Sequence, residues 1–178
     1  PIRSSAASDV YKRQLELNER RYRGHGIAAL EEVQKRLHLS KVPHRIECYD
    51  ISNFQGGDAV ASRVIFIDGA PEKNLYRRYK IRSVQGANDF AMMKEVLSRR
   101  FLKDSDGFPE LVIVDGGKGQ LAQALAVFKE LEIQGVDVVA LAKAKVSSDF
   151  ESKEVESSQE RVFLPNRKNP VVLYSGMK

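Results

Sequence analysis

Two aspartates in this chain end apolar runs in the way metal ligands do. Asp50 lies in Arg45-Ile-Glu-Cys-Tyr-Asp-Ile-Ser52, and Asp115 closes Leu111-Val-Ile-Val-Asp115 ahead of Gly116-Gly-Lys-Gly-Gln120. A carboxylate at the end of an apolar strand is poorly solvated and a second one beside it adds repulsion, so a divalent cation is the usual compensation. A lone Asp in such a place is more often a helix cap or a turn residue, but two on neighbouring strands change that reading. Hard oxygen donors suit Mg²⁺ or Mn²⁺, ions that activate water and stabilise the charge developed in phosphodiester cleavage. The chemistry that follows is hydrolysis of a phosphodiester.

Further residues could serve the same chemistry, each with a plainer reading beside it. Gly116, Gly117 and Gly119 could let backbone N–H groups approach a phosphate at the next helix's N-terminus, with Lys118 adding charge. The run lacks the spacing of a P-loop or a dinucleotide fingerprint, and a glycine-rich turn is more often only a tight connection. Asp89 opens a helix and reads equally as a third acid or as a partner of the helix dipole. Glu47 alternates to the face opposite Asp50, which speaks against a shared ligand role. In Tyr76-Arg77-Arg78-Tyr79-Lys80, aromatic and basic residues interleave, as on a nucleic-acid surface or on an edge strand guarded by charge. His25, His38 and His44 precede the first core strand and read as exposed.

The elements that must carry these residues follow from periodicity. Residues 15 to 39 read as helical through Ile27, Leu30, Val33 and Leu37, with Gly24 and Gly26 breaking an earlier polar stretch. Three strands are predicted at 45–52, 59–68 and 74–82, joined by short turns and therefore antiparallel. Asn88 is a plausible N-cap for a helix over 88–102 with Phe90, Met93, Val96, Leu97 and Phe101 on one face. A strand at 111–115, a helix at 118–131 and a strand at 136–141 complete a β-β-β-α-β-α-β order, an α/β mixed five-stranded sheet with helices packed on it. In that order the first strand and the first strand after the helix are neighbours at the sheet's centre, which brings Asp50 and Asp115 side by side. Residues 145 to 160 read as an exposed loop and Phe163 to Leu173 as a short final strand pair.

Composition sets the frame. With 178 residues, 42% hydrophobic and 30% charged, the chain can bury a real core. Cys48 is its single cysteine, so an internal disulfide and a cysteine-rich zinc site are excluded. No apolar run reaches the roughly 18 residues of a membrane span, and the expectation is a cytoplasmic protein. The formal charge of +5 suits a polyanionic partner without establishing one. Residues 1–14 look like a non-native leader, with Asp9-Val-Tyr-Lys-Arg-Gln14 resembling a translated transposon end. Without them 26 basic and 23 acidic side chains remain, a charge of +3. Residues 15–43 then form a helical connecting segment and 44–178 the main domain.

The segments Arg45 to Ser52, Gly86-Ala-Asn-Asp89 with Phe90-Ala-Met-Met93, and Ile113-Val-Asp-Gly-Gly-Lys-Gly-Gln120 closely resemble the UvrC family, a component of the bacterial excision nuclease. The likeness spans roughly residues 27 to 178 and extends to Leu141-Ala-Lys143 and Phe163-Leu-Pro165. It implies a ribonuclease-H-like endonuclease domain that makes the 5′ incision beside a lesion in double-stranded DNA, working with UvrB, a second component of the same excision nuclease. Asp50 and Asp115 match the family's metal-binding aspartates, and Asp89 a further acidic position tied to the same incision. The resemblance also implies that the chain is truncated before its last helix, because the family's catalytic histidine falls beyond Lys178. The competing reading is a non-catalytic nucleic-acid-binding or assembly module with the same fold.

Overall fold

The computed structural model describes residues 26–52, 59–84, 88–103, 106–143 and 160–173. A helix over residues 26–37 (α1) comes first. Then come β1 (Arg45–Ser52), β2 (Val60–Ile67), the two-residue β3 (Ala70–Pro71), a 3₁₀ turn at Lys73–Leu75 and β4 (Arg77–Lys80). Next are α2 (Asp89–Lys103), β5 (Leu111–Asp115), α3 (Lys118–Glu130), β6 (Asp137–Lys143), β7 (Glu160–Phe163) and β8 (Val171–Leu173). The expected loop over 145 to 160 lies almost wholly outside the described residues, as do the expected leader, the helical stretch before residue 26, and His25.

One mixed sheet runs β3-β2-β1-β5-β6-β7-β8, with β4 also paired to β2. The first strands pair antiparallel, β1 lies parallel to β5 and β5 parallel to β6, as the strand order predicts. Among the described residues the sheet holds eight strands where the sequence suggests five. Two of the added strands are the final pair, which docks antiparallel on β6 and extends that edge. The third is β3, because Asp68 (φ 49°) and Gly69 (φ 80°) form a two-residue reversal that folds Ala70–Pro71 back on β2 before the chain reaches β4. Asp-Gly is the pair such a turn favours, since both positions need positive φ.

The two faces of the sheet differ. Tyr49, Ala61, Tyr79, Val112, Val114, Val138 and Ala140 pack under Met92, Met93, Val96 and Leu97 of α2 and Leu121, Ala124, Val127 and Phe128 of α3. Asn88 caps α2 as the sequence suggests, its Oδ1 accepting from Ala91 N–H at 3.0 Å. On the other face Leu111, Val139, Val162 and Leu164 pack with Leu39, Val33 and Leu37. Gly26 is the first described residue of α1, and the polar stretch before it lies outside the described residues. Gly26 sits against the Asp68–Gly69 turn, where a Cβ would stand 2.4 Å from the Asp68 carbonyl oxygen.

Candidate active site

The register of β1 on β5 runs from Ile46 beside Leu111 to Tyr49 beside Val114, and one further step sets Asp50 beside Asp115. Neighbouring strands lie about 4.8 Å apart, and level residues on parallel strands face the same side. The two carboxylates therefore rise from adjacent positions on one face, and both are exposed. The same row continues outward through Ser62 of β2 and Arg78 of β4 on one side, and through Leu141 of β6 on the other.

This end of the face is open because α1 covers the opposite end. Asp68, against which Gly26 packs, donates its N–H to His44 O just before β1 begins. Beyond the helix, Ser40 N and Oγ donate to Asp137 at the first residue of β6, at 2.7 and 2.8 Å. α1 thus crosses the beginnings of β1, β5 and β6, and leaves the ends that carry Asp50 and Asp115 to solvent. Cys48, one pleat below Asp50, is half-buried. Burial first, and then the charge of Glu47, pushes its thiol up to about 11.

Glu47 faces the other way, as alternation requires, and is the centre of a buried cluster. Arg100 reaches it through Nη2 at 2.7 Å and Nε at 3.0 and 3.2 Å, Tyr49 OH donates at 2.7 Å and Arg45 Nε at 3.1 Å. Arg63 stands 3.8 Å away and donates to Asp106 at 3.2 Å. Glu47, Arg63 and Arg100 are all fully buried. Burial works against the Glu47 carboxylate, but the Arg100 and Tyr49 hydrogen bonds and the Arg100 and Arg63 charges outweigh it and hold the group below the ordinary range. Sequence reasoning missed Arg63 and Arg100. The available signal was the alternation of Arg63 with Ala61 and Ile65 on the buried side of β2.

In the glycine turn the backbone N–H groups expected to approach a phosphate are bonded within the protein at Gly116 and Gly117. Gly116 has φ 132°, and a Cβ there would stand 2.7 Å from the Gln120 side chain, whereas Gly117 is extended at φ −101° with open space around it. Of these two glycines only Gly116 has a positive φ. Gly116 N–H donates to Leu141 O at 2.9 Å and Gly117 N–H to Gln120 Oε1 at 3.1 Å, so the protein itself uses both donors. Lys118 Nζ donates to the carbonyl of Lys168 in the β7–β8 turn.

The remaining candidates divide. Arg78 and Lys80 stand on the carboxylate face, while Arg77 shares the opposite face with Arg63 and donates to Asn74 O and Tyr76 O at 3.1 and 3.0 Å. Asp89 is the exposed first residue of α2, on the helix that packs against the other face. Among the described residues no three His, Cys, Asp or Glu side chains gather closely enough to hold a metal ion. His38 and His44 are exposed as expected, His44 Nδ1 lying 2.8 Å from Asp68 Oδ1.

A mixed sheet with two carboxylates at the ends of its central parallel strands defines a ribonuclease-H-like nuclease architecture. The family model of the UvrC RNase H endonuclease domain matches residues 34–178, and the chain belongs to that family. It is 56% identical over 146 residues to UvrABC system protein C of Bdellovibrio bacteriovorus, covering 82% of this chain and 23% of that protein. To UvrABC system protein C of Geobacter sp. strain M21 it is 57% identical over 145 residues, covering 81% and 22%. The chain thus spans about a quarter of the length of the curated relatives it matches. Among solved structures, endonuclease V from Bacillus subtilis overlaps 80% of this chain and 71% of its own, at 14% identity and a TM-score of 0.42.

Proposed function

We propose that this chain is the nuclease domain that makes the 5′ incision in bacterial nucleotide excision repair, using a divalent metal held by Asp50 and Asp115. The observation that carries the reading is the position of these two residues, level on adjacent parallel strands, on the one part of their face that α1 leaves open. The donor set fits Mg²⁺ or Mn²⁺, for it consists of hard carboxylate oxygens facing solvent. What a bound ion supplies is Lewis acidity toward a phosphate oxygen and a water of lowered pKa. Asp50 and Asp115 hold and orient it. The sheet fixes both side chains at strand ends, so little reorganisation remains when the scissile phosphate arrives.

The substrate of the full-length protein is damaged double-stranded DNA, delivered with UvrB as in the UvrABC system for which the relatives are named. Family membership supports this. In the full-length protein Asp115→Asn loses the 5′ product while the 3′ product and the DNA complex persist, read on one sequencing gel and one mobility-shift titration. Unchanged 5′ incision would instead leave the fold as a binding or assembly module.

A further inference from the structure

The pleat of β4 sorts its cations. Tyr79 packs into the α2 side of the core and Arg77 spends its hydrogen bonds on nearby backbone carbonyls. Arg78 alternates to the other face. It lies directly across β2 from Ser62, which lies directly across β1 from Asp50, so Arg78, Ser62, Asp50 and Asp115 form one row perpendicular to the strands. Arg78 is exposed, and among the described residues its side chain has no hydrogen bond or ion pair. Lys80 stands on the same face two residues on. Ser62 between them is small, which keeps the floor of the row low and polar.

Two strand spacings place the Cα of Arg78 about 9.5 Å from that of Asp50. A DNA strand advances about 3.4 Å per nucleotide, so the guanidinium meets a backbone phosphate within roughly three nucleotides of one bound at the aspartates. An unpaired guanidinium is the group suited to such a phosphate, which it grips through two parallel hydrogen bonds. From this we infer that Arg78 is a positioning residue for the cleaved strand: it holds one backbone phosphate beside the scissile one, across the floor formed by Ser62, while Arg77 takes no part. The inference rests on the nuclease reading above.

The test uses the full-length protein with UvrB and lesion-containing duplexes that carry a single methylphosphonate at successive positions around the 5′ incision. At one position within three nucleotides of the cut, the neutral linkage slows wild-type incision about tenfold, and Arg78→Ala slows the unmodified duplex by the same factor. Combined, the two changes cost no more than either alone, which is the mark of a shared contact. Arg78→Lys recovers part of the rate, Arg77→Ala cuts at the wild-type rate, and the thermal midpoint of Arg78→Ala is unchanged. If every methylphosphonate slows Arg78→Ala as much as wild type, or Arg77→Ala is as slow as Arg78→Ala, the assignment is overturned. Asp50→Asn is measured alongside: if it retains full 5′ incision, the nuclease reading itself has failed, and if it is inactive while Arg78→Ala is wild type, the positioning role alone falls.

Discussion

Three arginines converge on one buried carboxylate at Glu47, and a single substitution there exposes how the core tolerates them. Removing one partner of a buried ion pair leaves the other charge uncompensated, at a cost of about 3–5 kcal/mol. Glu47→Ala takes from Arg100 the buried carboxylate that it binds through Nε and Nη2, so it is expected to destabilise by about this amount, read as a lowered midpoint of urea unfolding. The pH dependence has the same origin. Both Glu47 and Glu95 are held below the ordinary carboxylate range. For Glu95, burial acts against the shift, and hydrogen bonds from Ser83 and from Arg82 N–H, with the Arg99 charge, overcome it. A carboxylate whose pKa is depressed on folding adds stability that is fully present above its unfolded pKa and is lost as pH falls through the folded one. Stability is therefore expected to hold steady from neutrality down to the ordinary carboxylate range and to fall below it, and Glu95→Gln should flatten that fall in acid-unfolding curves. A stability that rises below that range would contradict the assignment.

At the scale of elements, the turns decide where the side chains go. Gly116 needs its positive φ and its missing Cβ, while Gly117 needs neither. Gly116→Ala is expected to cost about 1–3 kcal/mol through backbone strain, whereas Gly117→Ala should stay within about 0.5 kcal/mol of wild type. Thermal unfolding of the two variants separates them, and equal losses would show that the turn is not constrained at Gly116. Gly26→Ala belongs with the first, since a Cβ there meets the Asp68 carbonyl and either α1 or the Asp68–Gly69 turn must shift. Much of this level was legible in advance. The apolar runs of β1, β2, β5 and β6 and the faces of α2 and α3 fix their own type by periodicity. Their order fixes the neighbours, so the adjacency of Asp50 and Asp115 could be read before any coordinates. The glycine that bears the strain could not, because Gly116 and Gly117 look alike until hydrogen bonds to Leu141 and Gln120 set the path between them. Nor could the Glu47 cluster, whose members come together from β1, β2 and α2 with Arg100 standing 53 positions from its partner. Charged residues in strands read as solvated until a partner of opposite charge is found. The division of Arg77 from Arg78 was available from alternation with the buried Tyr79. It went unread because an interleaved basic strand looks uniform.

In the molecule as a whole, one face of the sheet is sealed under α2 and α3 and the other is half-covered by α1. The open half presents the acidic pair, Ser62 and Arg78. Among the described residues no helix is long and apolar enough to cross a membrane. The central claim is that Asp50 and Asp115 act as a unit on a single cation, and the most direct test is the 5′-incision rate of the full-length protein in a double-mutant cycle. Asp50→Asn and Asp115→Asn are each expected to slow 5′ cleavage by at least about 10³-fold. Groups that act as a unit are non-additive, so the double variant should be no slower than either single one. Wild-type cleavage by either single variant, or losses that multiply in the double, would contradict a shared metal site.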